Sequence, residues 1–122
     1  DALPILWIRN TKENHGNIFN DCTFKALGKD AVIGRLPDNK GRNYPDAECV
    51  LLNCTLEGVP SEGFGPVAES ASTATLLEFN SHDKEGNAID VSQRNRYVRQ
   101  LDAIKDATLI GKYADASWVL NW

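Results

Sequence analysis

One short pattern recurs along this chain and limits the folds that the chain can adopt. The stretch IFNDCTF at residues 18–24 resembles VLLNCTL at 50–56 and, more faintly, LLEFNSH at 76–82. A short polar residue, Asp21, Asn53 or Asn80, occupies the same place in each copy. Apolar residues alternate with other residues in these copies, and a period of two is typical of β-strands.

The alternation also predicts which side chains share a face of each strand. They are Ile18, Cys22 and Phe24 in the first copy, and Val50, Leu52, Cys54 and Leu56 in the second. Strands that recur after a few tens of residues favour a solenoid, in which each coil buries its inner face on the next. A β-sandwich also repeats short strands, but at a closer spacing of about 8–12 residues. We therefore expect an all-β fold, a right-handed parallel β-helix.

The length of 122 residues fits one domain. The chain contains no methionine, and it begins with the apolar stretch LPILWI after two residues. Apolar residues of this kind are usually buried, and a solenoid needs neighbouring coils at both ends. We therefore expect residues 1–122 to be the C-terminal segment of a β-helix domain, incomplete without upstream coils.

Polar loops connect the predicted strands, and one helix is predicted near the end. Residues 36–46, 58–72 and 82–96 are rich in Pro, Gly, Asn, Asp and Ser, with a turn signal at Glu85-Gly86-Asn87. The sequence LDAIKDATLIGKY at 101–113 predicts a short helix with Asp102 as N-cap and with Leu101, Ile104 and Ala107 on one face. The tail ASWVLNW is expected to pack back on the last coil.

Composition excludes two classes of partner. The chain has 13 basic and 17 acidic side chains and no run of Lys or Arg. It is therefore predicted to bind neither nucleic acid nor an anionic membrane surface. No apolar stretch has the length of a membrane span. Its three cysteines are an odd number without zinc-site spacing, and we expect them to be buried and reduced.

A series of motifs, in order, resembles the C-terminal part of the pectin methylesterase family. Gly16 to Phe24 match the family's strand before its Leu-Gly-Arg-Pro-Trp motif, and Ile33-Gly34-Arg35 match Leu-Gly-Arg. The later matches are Gly63-Phe64 for a Gly-Trp loop, Glu78-Phe79-Asn80 for Glu-Tyr-Asn, Arg94 or Arg96 for a later arginine, and Trp118 for a terminal tryptophan. The resemblance covers roughly residues 15–122.

The resemblance implies a right-handed parallel β-helix and a secreted, periplasmic or cell-surface enzyme. Such enzymes hydrolyse methyl esters of galacturonate in pectin without a metal or organic cofactor. One aspartate attacks the ester, a second serves as acid and base, a glutamine steadies the oxyanion, and the Gly-Arg arginine holds the nucleophile. By this match Arg35 is the catalytic-site arginine, and the partner is pectin or another methyl-esterified galacturonan.

The physical chemistry of a carboxylate nucleophile agrees with this role for Arg35. The nucleophile must stay ionised in a cleft that is partly shielded from water. A guanidinium beside it lowers the pKa of the carboxyl and fixes its orientation through two parallel hydrogen bonds. Lysine supplies the charge but not this fork. Without the family series, however, an arginine at the edge of a loop is more often a solvated side chain than a functional one.

Two departures from the family pattern affect the expected site. The family's Pro-Trp is Leu36-Pro37 here, so the tryptophan that would stack on a sugar is missing. Tyr44 and Arg42, in the loop that follows, are the candidate substrate-binding residues in its place, although a tyrosine in such a loop is often simple packing. Upstream of Arg35 the chain has only Asp1, Asp21 and Asp30, none in the family's catalytic setting.

Two functions therefore remain open from the sequence. In the first, the chain supplies Arg35 and a groove wall to an esterase, and the catalytic aspartates come from an N-terminal segment, which could be a second chain. In the second, the parent is a noncatalytic β-helical protein that binds polysaccharide or serves a structural role. His15 and His82 lie near no nucleophile motif, and Asp83, Glu85 and Asp90 fit no calcium loop. The cluster of Arg94, Arg96 and Arg99 is expected to pair with nearby carboxylates.

Overall fold

Short strands dominate the computed structural model, which describes residues 3–28, 31–36 and 44–122. The strands are β1 (Leu3–Trp7), β2 (Asn17–Asn20), β3 (Thr23–Lys25), β4 (Ala31–Arg35), β5 (Glu48–Leu52), β6 (Thr55–Glu57), β7 (Thr75–Phe79) and β8 (Val98–Gln100). A 3-10 turn covers Glu69–Ala71, and two short helices follow, α1 (Ala107–Tyr113) and α2 (Ala116–Leu120). None of the helices in the described ranges is long and apolar enough to cross a membrane.

All ladders between these strands are parallel, in three sheets. Strand β1 pairs with β4, β3 pairs with β6, and the central sheet has the order β2-β5-β7-β8. The sequence copies lie side by side, because Ile18 pairs with Val50 and Val50 pairs with Leu77. This register confirms the repeat, and the prediction of a β-rich fold with parallel strands and helical structure at the C-terminal end is confirmed.

The repeated polar residue marks a sharp backbone turn in each copy. Asp21, Asn53 and Asn80 have φ values of 58°, 55° and 56°, in the left-handed region. Asn and Asp adopt this region more readily than other residues with a side chain. The Asn80 Nδ2 donates a hydrogen bond of 2.9 Å to Asn53 Oδ1, so the turns are also joined by their side chains.

These turns overturn the predicted sharing of faces. Val50 and Leu52 lie in a cluster beneath the helices, whereas Cys54 and Leu56 lie in the main core. A left-handed residue between two strands redirects the chain, so the strict alternation of faces does not continue from β5 into β6. The period of two predicted the strands but not the direction change at Asn53.

Substitution at Asn53 tests this turn. Asn53→Ala is expected to destabilise the protein by about 1–2 kcal/mol, because a Cβ without a local polar group is disfavoured in the left-handed region. Asn53→Gly loses the same contact with Asn80 but keeps the backbone freedom, so its loss should be smaller. Urea unfolding of both variants measures the difference. Equal losses in the two variants would contradict a role for the left-handed turn.

Two buried clusters lie on opposite sides of the central sheet. The main core lies on one side and includes Ile33, Cys49, Leu51, Cys54, Phe64 and Leu76. The second cluster lies on the other and combines Val50, Leu52 and Leu77 with Leu101 and with Tyr113 of α1. Strand β5 is buried along its whole length for this reason. Cys49 and Cys54 are buried and all three thiols are free, as expected, but Cys22 is only partly buried.

The C-terminal region differs from the predicted single helix. Asp102 does accept hydrogen bonds from the amides of Ile104 and Lys105, both 2.8 Å, but it caps a turn, and α1 begins at Ala107. Ile104 is 87% exposed while Leu101 is buried, so these two do not share a packed face. The tail forms a separate helix, α2, whose Asp115 side chain accepts from the Ser117 amide.

Candidate functional site

Arg35 is the last residue of β4 and lies beside Trp7, its register partner in β1. On the other side of β4, the Gly65 amide donates to the Gly34 carbonyl at 2.8 Å, and the Leu36 amide donates to Pro66 at 3.0 Å. A Cβ on Gly65 would lie 3.1 Å from the Arg35 Cβ, so the backbones approach closely here. Arg35 is therefore held between an indole and a glycine-containing loop. We call Trp7, Arg9, Arg35 and Gly65 the Arg35 site.

The Nε of Arg35 is a candidate hydrogen-bond donor to a ligand. Its Nε is buried and has no hydrogen-bond partner within the part of the chain that the structure describes. Its guanidinium carbon lies 5.5 Å from the centroid of the Trp7 ring. Because an unsatisfied buried donor costs about 1–3 kcal/mol, this nitrogen favours an acceptor such as a carboxylate oxygen.

Trp7 is the exposed aromatic residue of this site. It is 47% exposed, and its ring also lies 4.1 Å from the guanidinium carbon of Arg9. Sequence reasoning missed Trp7, because the register of β1 against β4 is not visible in the sequence. An apolar stretch that contains a tryptophan and is followed by Arg9 was the available signal.

The two other predicted site residues have different positions. Tyr44 is partly buried and packs against the main core, where its ring makes apolar contacts. Arg42 lies outside the described residues, within 37–43. Both assignments stay predictions, and the aromatic ring that the structure places beside Arg35 is that of Trp7.

A buried ion pair supports the loop that passes Arg35. Arg94 donates two hydrogen bonds to Glu78 of β7, from Nε to Oε1 at 2.9 Å and from Nη2 to Oε2 at 3.0 Å. Its Nη1 donates to the Ser61 carbonyl at 3.0 Å. At Gly63, with φ of 71°, a Cβ would lie 2.7 Å from the Arg94 Cδ. The pair therefore joins β7 to the loop at 61–65.

Glu78 is ionised despite complete burial. Desolvation alone would raise the pKa of this carboxyl, but hydrogen bonds from Arg94, Ser81 and Gln100 and the charge of Arg94 lower it below its usual range. Gln100 of β8 donates to Oε1 at 2.6 Å, which links the last strand to the same carboxylate. The expected pairing of the arginine cluster with carboxylates is confirmed for Arg94 and for Arg99, which pairs with Asp106.

A second polar cluster lies at the first residue of β5. Glu48 Oε1 lies 2.9 Å from His15 Nδ1 and accepts from the Gly16 amide at 3.0 Å, while Tyr113 donates its hydroxyl to Oε2. The Trp118 ring lies 4.5 Å from the His15 ring, centroid to centroid. The tail therefore packs on the loop before β2 as well as on the central sheet. An open groove of about 840 Å³ runs past these rings.

Removing the Tyr113 hydroxyl tests how much this cluster stabilises the helices. Burial and the hydrogen bond to Glu48 raise the pKa of Tyr113, so the hydroxyl stays protonated and donates this hydrogen bond. Tyr113→Phe should destabilise the protein by about 1–3 kcal/mol, because a largely buried carboxylate oxygen loses its partner. Tyr97→Phe, on a partly buried ring that packs against the main core, is the control for loss of a hydroxyl. Thermal unfolding followed by circular dichroism distinguishes them, and equal shifts would contradict the role of Glu48.

Thiol and metal chemistry find no support in this arrangement. Burial raises the pKa of the thiols of Cys49 and Cys54, so neither is an activated nucleophile. His82 Nε2 lies 3.0 Å from the Thr55 hydroxyl, in a structural contact between neighbouring strands. Among residues 3–28, 31–36 and 44–122, no three His, Cys, Asp or Glu side chains are grouped closely enough to hold a metal ion.

Comparison of the chain with models of known protein families, with curated proteins and with solved structures finds no match.

Proposed function

We propose that this chain is part of a pectin methylesterase-like carbohydrate esterase and that it contributes Arg35 and one wall of the substrate groove. The reaction is hydrolysis of methyl esters on galacturonate carboxyls, which releases methanol and an ionised carboxylate. The observation that carries the proposal is the position of Arg35, at a strand end beside an exposed indole, with a buried Nε that has no hydrogen-bond partner among the described residues.

The finer fold belongs to the same proposal. Copies of one sequence pattern form neighbouring parallel strands, with a left-handed residue at the same place in each copy. We infer that each copy belongs to one coil of a right-handed parallel β-helix. In such a fold a substrate groove runs along one sheet across successive coils, and Trp7, Arg35 and Gly65 follow one another in that direction.

The motif order and the contacts support each other. Glu78 was matched to one family motif, and Arg94 is one of the two arginines, with Arg96, that match another. Glu78 and Arg94 form one buried ion pair. Gly63, matched to the Gly-Trp loop, packs directly against Arg94. Residues far apart in the sequence that match one family therefore meet around the loop behind Arg35.

In the proposed mechanism Arg35 acts on the nucleophile. Its guanidinium holds an aspartate carboxylate ionised and oriented toward the ester carbon. The aspartate forms an acyl-enzyme as methanol leaves, with a second carboxylic acid donating the proton to the methoxide oxygen. Water then attacks the acyl-enzyme and restores both carboxyl groups. This chain supplies the arginine, and the proposal assigns both carboxyl groups to residues outside the described site.

One observation favours a second function, polysaccharide binding without chemistry. Trp7 presents an exposed ring, which is a common platform for sugars, and this role needs no nucleophile. The same surface would then hold the polymer while its ester groups stayed intact.

A single assay separates the two functions. The protein, purified with any chain that accompanies it on native mass analysis, is incubated with highly methyl-esterified galacturonan, and methanol is quantified by gas chromatography. Amidated galacturonan is the matched substrate control, because it keeps the polymer but replaces the ester. The proposal predicts methanol from the ester. Binding of the polymer without methanol above the uncatalysed rate would favour the noncatalytic function.

A further inference from the structure

Trp7 carries an unusual pair of neighbours for a surface ring. The guanidinium carbon of Arg9 lies 4.1 Å from its centroid and that of Arg35 lies 5.5 Å away. Arg9 is exposed, and Arg35 is only partly exposed. Two cations therefore share one indole that is itself 47% exposed.

Neither cation has an ion-pair partner among residues 3–28, 31–36 and 44–122. The ion pairs among the described residues join His15 to Glu48, Arg94 to Glu78 and Arg99 to Asp106, and none includes Arg9 or Arg35. The charges of Arg9 and Arg35 repel each other, and the Arg35 Nε has no acceptor among the described residues. The nucleophile of the proposed function would supply that acceptor, and an anion bound at Arg9 would reduce the repulsion.

We propose that Trp7 and Arg9, next to Arg35, form a subsite that binds a uronate residue in its ionised form. The apolar face of a pyranose ring stacks on the exposed indole, and the carboxylate accepts hydrogen bonds from a guanidinium fork. A planar carboxylate matches that fork. A methyl ester matches it less well, because the ester is uncharged and one of its oxygens carries the methyl group. The choice of uronate, among ring-shaped carboxylates, rests on the proposed function.

The groove at the C-terminal end is a less favourable place for a uronate, because its charged lining residues are acidic. That groove is lined by Glu13 and Asp115, with His15, Trp118 and Trp122, and its described lining contains no Lys or Arg. Hydrogen bonds within their own loops lower the pKa of both carboxyls, so both are ionised. A polyanion is repelled there and attracted to Arg9, which follows β1, and to Arg35 of β4.

The subsite also offers a replacement for the tryptophan that is missing after the Gly-Arg motif. The tryptophan that the family has two residues after its arginine is absent, since Leu36-Pro37 follow Arg35. The register partner of Arg35 on the neighbouring strand is itself a tryptophan. The aromatic surface is thereby supplied from β1, with a second arginine two residues further along.

Calorimetric titration with two matched oligosaccharides tests the proposal. One is an unesterified galacturonate oligomer, and the other is the same oligomer fully methyl-esterified. The wild-type protein should bind the unesterified oligomer at least about tenfold more tightly at low salt, and this preference should shrink at higher ionic strength. Equal affinity for the two oligomers would overturn the proposal.

Two single variants locate the binding. Arg9→Gln, at an exposed position, should remove most of the preference for the unesterified oligomer, and Trp7→Ala should weaken binding of both. Trp122→Ala and Arg99→Ala are the matched controls, since these exposed side chains lie outside the subsite. Folding is verified by circular dichroism, and Trp7→Phe replaces Trp7→Ala if the latter unfolds. Unchanged binding by Arg9→Gln and by the Trp7 variant would overturn the proposal.

The outcomes also separate this subsite from the esterase itself. Selective binding that depends on Arg9 and Trp7, without methanol release, would leave the subsite standing and reject the esterase. Methanol release, with binding unaffected by Arg9→Gln and by the Trp7 variant, would support the esterase and reject the subsite.

Discussion

Replacing Arg94 by alanine is expected to destabilise the protein by about 3–5 kcal/mol, because it leaves a charge buried without its partner. Glu78 is 0% exposed and receives two of its hydrogen bonds from this guanidinium. The variant also loses the contact with the Ser61 carbonyl, so the loop at 61–65 is released from β7. Urea unfolding monitored by circular dichroism gives the change in free energy.

Arg99→Ala is the matched control for Arg94→Ala. It removes the same side chain from an ion pair with Asp106, but this arginine is 58% exposed. An exposed pair contributes about 0–1 kcal/mol, so the two variants should differ several-fold in their effect. Similar losses in the two variants would contradict the view that Glu78 and Arg94 hold the core together.

The same pair predicts a direction for the pH dependence of stability. The folded state lowers the pKa of Glu78 below its ordinary 4.5. Its contribution is therefore complete above that value and is lost as the pH falls toward the folded-state pKa. In Arg94→Ala, burial without the partner raises the pKa of Glu78, so acidification protonates this carboxyl and relieves the penalty of its buried charge. The difference in unfolding free energy between wild type and variant should therefore shrink as the pH falls from neutral to below 4.5.

Truncation of Leu51 is expected to have the second large effect on stability. This side chain of β5 is 0% exposed, and it belongs to the main core. Leu51→Ala should cost about 2–5 kcal/mol, from the lost burial and from the cavity that remains. Leu27→Ala makes the same chemical change at a position that is 91% exposed and should leave stability within about 0.5 kcal/mol of wild type. A small loss at Leu51 would contradict the placement of β5 inside the molecule.

The repeated pattern predicted the strands and their neighbours because side-chain alternation and the Asn or Asp at the turn are local signals. Asp21, Asn53 and Asn80 adopt left-handed backbone conformations that their own residue types permit. The prediction of which side chains share a face was wrong beyond Asn53, because a turn changes the direction of the chain without changing the alternation of residues in the sequence. The helix boundary was also wrong, since Asp102 caps a turn that ends before Ala107.

The candidate site was only partly predictable for a similar reason. The motif around Gly34 and Arg35 is continuous in the sequence and was found directly. Trp7 reaches Arg35 through the parallel register of β1 and β4, and Glu78 meets Arg94 through packing inside the fold. Such contacts depend on tertiary structure, which residue spacing alone does not specify.

The most direct test of the central claim is the rate of methanol release from methyl-esterified galacturonan by wild type, Arg35→Lys and Arg35→Ala. The account predicts that Arg35→Ala lowers turnover at least about 100-fold, a loss of about 2.7 kcal/mol of transition-state stabilisation. Arg35→Lys should recover only part of it, since it restores charge without the fork. Both variants should keep the wild-type circular dichroism spectrum. Wild-type turnover in a folded Arg35→Ala protein would contradict the assignment of Arg35.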